Sequence, residues 1–224
     1  FSRWGQLYMN HDTIAILDFG GQYTQLIAKA VRSLNVYSEI FSGESILSHF
    51  EETSIKGIIL SGGPESVTQM DAPMMDKEIL LSGIPILGIC YGMQLINYLL
   101  NGKNVEVEER QKEYGETEIQ VDIKQPLFKG LPKKVSSWMS HGDSVDSHAL
   151  GEGLFPTASS EHHLAAFSHQ NLPVFGVQFH PEVSHMPLGK EIIKNFKEEI
   201  GNFMMVKPKD SDFKDLLMIL TKAA

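Results

Sequence analysis

The chain has 224 residues, 42% of them hydrophobic and 21% charged. That is the composition of a globular protein with one large core, and it excludes disordered, collagen-like and low-complexity classes. Nineteen Lys and Arg against 28 Asp and Glu leave a net charge of −9, which argues against a sequence-independent grip on nucleic acid or on an anionic membrane.

The single cysteine, Cys90, excludes an intrachain disulfide and a Cys-based zinc cluster, and it fits a reducing, cytoplasmic setting. No uninterrupted apolar run reaches the roughly 18 residues of a membrane span. Residues 1–12 read as an N-terminal extension, with Met9 as a more ordinary opening.

Thr13 to Leu17 is a short β-rich run ending in Asp18-Phe19-Gly20-Gly21. A helix is expected from about Tyr23 to Leu34, where Leu26, Ile27, Ala30, Val31 and Leu34 share helical spacing. Val36 to Phe41 is the next strand. Lys56 to Leu60 is a buried strand stopped by the turn cluster Ser61-Gly62-Gly63-Pro64. Pro73 to Leu81 reads as a helix with proline in its first turn. Ile84 to Ile89 is a third buried strand, and Tyr91 to Leu100 a helix with Gly102 near its end. Short apolar strands separated by helices indicate parallel βαβ units, whose ligands gather at the carboxyl ends of the strands.

From Val105 to His180 the runs are shorter and turn-punctuated: Thr117 to Ile123, Val135 to Ser140, Leu164 to Phe167 and Val174 to Phe179. They predict antiparallel additions to the sheet. The Glu-rich stretch from Glu106 to Glu118 reads as a solvated strand-and-loop segment. Leu188 to Phe196 and Phe213 to Leu220 are expected to close the fold as helices.

Gly88-Ile89-Cys90-Tyr91-Gly92 lies between a strand and a helix and has the pattern of a nucleophile elbow carrying a thiol. A lone cysteine is usually an inert buried residue, and this context reverses that expectation. The tight turn strains the nucleophile's backbone, so its close neighbours must lack bulk. It also aims the sulfur at a helix N-terminus, where dipole and free amides favour thiolate. The Tyr91 N–H is then placed to stabilise an oxyanion.

A thiol nucleophile needs a base and an orienter. His180-Pro181-Glu182 follows the last strand. Residues i and i+2 of an extended segment face one side, so His180 and Glu182 are expected to point together; spacing alone does not establish contact. His141, in Ser140-His141-Gly142-Asp143, is placed either to line a pocket or to hold a structural hydrogen bond. His162 and His163 lack the spacing and partners of a metal site, so no metal is expected.

The strings GICYGMQ (Gly88–Gln94) and GVQFHPEV around His180 resemble the class I, triad-type glutamine amidotransferases. DFGGQYTQLIA from Asp18, VYSEI from Val36, LSGGPESV from Leu60, WMSHGD from Trp138 and GVQFHPEVSH from Gly176 are similar, more narrowly, to the amidotransferase domains of GMP synthetases. The resemblance runs from about Thr13 to Phe196. It implies a flavodoxin-like α/β fold: a central, mostly parallel sheet with flanking helices and a small antiparallel addition.

The resemblance also implies an amidotransferase domain over 13–200, followed by a tail of uncertain role over 201–224. It makes Cys90 the nucleophile, His180 the general base and acid, and Glu182 its orienter. Gly63 becomes the oxyanion-loop glycine working with the Tyr91 amide. Gln94, Ser140, His141 and Asp143 become residues of a glutamine pocket. The implied activity is hydrolysis of glutamine to glutamate and ammonia through a cysteine thioester. The ammonia would aminate xanthosine monophosphate on an ATP-pyrophosphatase domain or subunit.

That partner's phosphate loop is missing from these 224 residues, so ATP and magnesium are expected there and no cofactor here. Gly21 stands where serine is common in the family, and Met186 replaces a frequent threonine. Other readings are an amidotransferase for another acceptor (carbamoyl phosphate, anthranilate or aminodeoxychorismate synthesis), a γ-glutamyl hydrolase or thiol peptidase, and an idle regulatory module.

Overall fold

A computed structural model of the chain describes residues 12–50, 54–107 and 112–205. The expected extension, apart from Asp12, and the expected helix over Phe213–Leu220 lie outside them. In chain order the elements are β1 (Thr13–Asp18), α1 (Thr24–Arg32), β2 (Tyr37–Ser42), β3 (Ile55–Leu60), α2 (Lys77–Leu81), β4 (Ile86–Ile89) and α3 (Tyr91–Leu99). There follow β5 (Asn104–Glu106), β6 (Glu113–Val121), β7 (Lys134–His141), β8 (Asp143–Val145), β9 (Leu154–Ser159), β10 (Leu164–His169), β11 (Val174–Val177) and α4 (Gly189–Met205).

The main sheet has nine strands in the order β2-β1-β3-β4-β11-β10-β9-β6-β7. The first five are mutually parallel, and their order is the flavodoxin-like one. From β11 onward every neighbour is antiparallel, and β5 pairs with β8 in a separate two-stranded sheet.

Burial follows from this layering. Along β1, Ile14 and Ile16 join one core cluster, with Ile27 and Val31 of α1 and Phe196 of α4. Ala15 and Leu17 join the other, with Ile79 of α2 and Met93 and Ile96 of α3. Successive strand residues face opposite sides, so a sheet covered by helices on both faces buries all of them. That is why these strands read as continuous apolar runs.

Several elements differ from expectation. α2 starts at Lys77, not Pro73, because the Asp76 side chain accepts the Glu78 N–H and caps the helix there. β9 was missed because Pro156 lies inside it; the proline sits where the β9–β10 register shifts, a place that tolerates a missing donor. β11 stops at Val177, two residues early. α4 runs on to Met205, and its buried Ile200 packs against Gly57 of β3. Within the acidic stretch, Glu113 is an exception to the expected solvation: it is buried.

Candidate active site

Two glycines permit the turn between β4 and α3. A Cβ on Gly88 would come 2.5 Å from the Gly92 carbonyl oxygen, and one on Gly92 would come 2.6 Å from Leu60 Cβ and carbonyl oxygen. Between them Cys90 takes φ 53°, a left-handed conformation that costs a non-glycine residue about 1–3 kcal/mol. Neighbouring bonds impose it. Cys90 N–H donates to the Val177 carbonyl at 2.8 Å, Gln94 N–H to the Cys90 carbonyl at 3.1 Å, and Gly92 N–H to the Ser61 carbonyl at 3.1 Å. The Tyr91 N–H, at the start of α3, is left without an acceptor among the described residues.

Beyond β3, the Ser61 hydroxyl donates to the Gly62 carbonyl at 2.8 Å and accepts the Phe19 N–H at 3.0 Å. In a trans peptide, holding the Gly62 carbonyl turns the Gly63 N–H the opposite way. Gly63 and Tyr91 line the same cavity as Cys90, so the oxyanion donors expected from sequence are brought to one place. A Cβ on Gly63 would lie 2.7 Å from the Phe19 carbonyl oxygen and 3.2 Å from Tyr91 Cγ. The Tyr91 hydroxyl donates to the Pro73 carbonyl at 2.7 Å. Burial, then the charge of Glu65, push the Tyr91 phenol up to about 12, so it stays neutral.

His180 follows β11 and is fixed through its backbone, whose N–H donates to the Trp138 carbonyl at 3.0 Å. Its Nδ1 lies 2.8 Å from Glu182 Oε1, and both side chains are buried. Its other nitrogen is the one left to meet Cys90, which lines the same cavity. Burial opposes the imidazolium, but hydrogen bonds with Cys90 and Glu182 and their charges outweigh it, raising the group to about 10. Gly62 fills the space beside them: a Cβ there would lie 3.1 Å from His180 Cε1 and 3.7 Å from Cys90 Cβ. The Tyr23 ring packs edge-to-face with the imidazole, with centroids 5.0 Å apart.

Cys90, His180, Gln94, Ser140, His141 and Asp143 share a cavity of about 570 Å³ at the carboxyl ends of β1, β3 and β4. Gln94 Nε2 donates to the Asp143 carbonyl at 2.9 Å, and His141 Nδ1 lies 2.9 Å from the same oxygen. His141 thus both lines the pocket and holds a structural bond. Its Nε2 lies 3.4 Å from Glu113 Oε2. Burial alone would raise the Glu113 carboxyl, but hydrogen bonds from His141 and Ser160 and the charges of His141 and His163 hold it below the usual range. No group of three His, Cys, Asp or Glu among the described residues is placed to hold a metal ion.

Sequence reasoning missed Ser61, Gly62, Tyr23, Glu113 and Gln178. Gln178 is fully buried between Phe179 and β11. Its Nε2 lies 3.6 Å from Cys90 Sγ, and its Oε1 accepts from Gln94 Nε2 at 3.3 Å. One signal was present: a lone polar residue in the apolar run VFGVQF. Chemically, a sulfur beside a buried imidazole–carboxylate pair and two backbone N–H groups is equipped for acyl transfer through a thioester.

The glutamine amidotransferase class-I family profile matches residues 15–200, and the chain belongs to this family. It is 50% identical over 189 residues to a GMP synthase (glutamine-hydrolyzing) of Caldicellulosiruptor saccharolyticus, an alignment covering 84% of this chain and 36% of that protein. It is 45% identical over 193 residues to the one of Acetivibrio thermocellus, covering 86% and 37%. The chain therefore spans about a third of the length of these curated relatives. Among solved structures it resembles a putative GMP synthase subunit of Thermoplasma acidophilum (TM-score 0.77, 27% identity, 89% of this chain and 98% of that one). A glutamine amidotransferase of Thermotoga maritima shares the fold (TM-score 0.63, 20% identity, 95% and 97%).

Proposed function

We propose that this chain is a glutaminase unit that releases ammonia for the amination of xanthosine monophosphate to GMP. The observation that carries the reading is Cys90 on its strained turn, sharing a cavity with a histidine that is tied to Glu182 at 2.8 Å. Proton transfer to His180 leaves Cys90 Sγ as the nucleophile, which attacks the side-chain amide carbon of glutamine. The Tyr91 and Gly63 N–H groups receive the negative charge developing on the amide oxygen. His180 then protonates the departing nitrogen, and ammonia leaves behind a glutamyl thioester. Water attacks that thioester, gives its proton to His180, and glutamate departs as Sγ recovers its electron pair.

Gln94, Ser140, His141 and Asp143 are the pocket wall in this reading. The ATP-dependent half belongs to an ATP-pyrophosphatase domain or subunit, which would bind ATP and magnesium. The names of the curated relatives and of the Thermoplasma protein support that assignment. A cytoplasmic location fits the single cysteine. No described helix is long and apolar enough to cross a membrane.

The test is ammonia release from glutamine, with and without an ATP-pyrophosphatase domain, ATP and xanthosine monophosphate. Glutamate and GMP formed in equal amounts with the partner present is the expected result. Glutamine left intact in both arms defeats the proposal.

A further inference from the structure

The hydrogen-bond pattern around the sulfur can be worked out from a group whose role admits no choice. The Asp143 backbone carbonyl is only an acceptor, so the Gln94 atom 2.9 Å from it must be Nε2. That nitrogen also faces Gln178 at 3.3 Å, so the Gln178 atom there must be its oxygen, Oε1. The other end of the same amide, the NH₂ group, is then forced toward Cys90 Sγ at 3.6 Å. The Gln178 backbone is pinned as well, its N–H donating to the Ala165 carbonyl at 2.9 Å. An amide whose orientation is normally ambiguous is thereby fixed with its donor on the sulfur.

We propose that Gln178 is a further catalytic residue, whose side-chain N–H bonds to Cys90 Sγ and stabilises the sulfur whenever it carries charge. Sulfur meets two different neighbours here. The Ser140 carbonyl, 3.8 Å away, suits only the thiol, because a thiolate has no proton to offer it. The Gln178 donor suits the thiolate, and it is fully buried, where no water competes for the bond. The sulfur is charged twice per turnover: before attack, and again when it leaves the thioester. Through Gln94 the same amide is tied to the Asp143 segment of the pocket wall, so the wall and the nucleophile are held by one chain of hydrogen bonds.

This inference rests on Cys90 being the nucleophile, and its test separates the two. The probe is iodoacetamide, which alkylates Cys90 without any glutamine turnover, on the full chain at pH 7 and across a pH series. Gln178→Met removes the donor at nearly constant shape. Gln178→Glu keeps an acceptor for Gln94 but puts a carboxyl oxygen against the sulfur.

Alkylation is expected to slow about tenfold in Gln178→Met and further in Gln178→Glu, with the pH profile of the Cys90–His180 pair displaced to higher pH in both. A merely structural role predicts the milder loss in Gln178→Glu, which keeps the bond to Gln94. Folded variants alkylated at the wild-type rate overturn the inference alone, whereas an unreactive Cys90 in the unmutated chain overturns the nucleophile reading with it. Should neither variant fold, side-chain amide resonances of the unmutated chain and of Cys90→Ala decide. The Gln178 amide protons must shift when the sulfur is removed, and unchanged positions refute the bond.

Discussion

His180 Nδ1 meets Glu182 Oε1 at 2.8 Å across a single proline, with both side chains out of solvent. The contact completes what the spacing only allowed. Pro181 restricts the backbone between them, and burial makes the charge on Glu182 effective on the imidazole.

Glu182→Gln keeps the shape and removes that charge. Glutamine turnover is expected to fall about a hundredfold or more, since the orienter holds the tautomer and stabilises the imidazolium. The substitution also changes the pH dependence of stability. In the folded chain His180 holds its proton up to about 10 against an ordinary value of 6.5. The associated stabilisation is complete below the ordinary value and is lost as pH rises through about 10. Thermal melting from pH 6 to 10.5 should therefore decline more steeply in the unmutated chain than in Glu182→Gln.

Cys90 stores strain at φ 53°. Cys90→Ala should abolish ammonia release with the fold intact. Cys90→Gly should be equally inactive yet more stable than Cys90→Ala by about 1 kcal/mol, because glycine adopts this conformation freely. Denaturant titration of the two variants measures the difference. Equal midpoints would mean the turn is not strained.

Gly92→Ala places a methyl 2.6 Å from Leu60 Cβ and backbone oxygen. Neither can yield without moving β3, so a loss of about 1–3 kcal/mol is expected. The loss should be accompanied by a turnover defect, because the displaced segment carries Cys90. Parallel urea melts and glutaminase assays test both halves.

Ser61→Ala removes the hydroxyl that holds the Gly62 carbonyl at 2.8 Å and accepts the Phe19 N–H at 3.0 Å. Stability should fall by about 1–3 kcal/mol, since the Phe19 donor is left buried and unpaired. Turnover should fall about tenfold or more as the Gly63 N–H loses its fixed direction. Unchanged turnover in a folded variant would show that the loop holds its own shape.

The features legible in the sequence are those that local sterics dictate. The β1, β3 and β4 runs betrayed their burial on both faces. G-x-C-x-G declared a turn that only glycines permit, and the collisions at Gly88 and Gly92 give the reason. β9 escaped because Pro156 hides a strand whose register shift accommodates it. Glu113 escaped because a charge in an acidic run gives no sign of the buried histidine that pairs with it across β6 and β7.

By itself, then, the amino-acid order determined the parallel half of the sheet, the strained turn at Cys90 and the shared direction of His180 and Glu182. Each is set by interactions among residues close along the chain, or by the period of a strand or helix. The tertiary structure alone decided that β11 inserts beside β4 and carries His180 to Cys90 from 90 positions away. It alone turned Gln178 to the sulfur. Those outcomes depend on strand order and on hydrogen bonds between distant segments, and no local pattern encodes which distant partner a buried amide will meet.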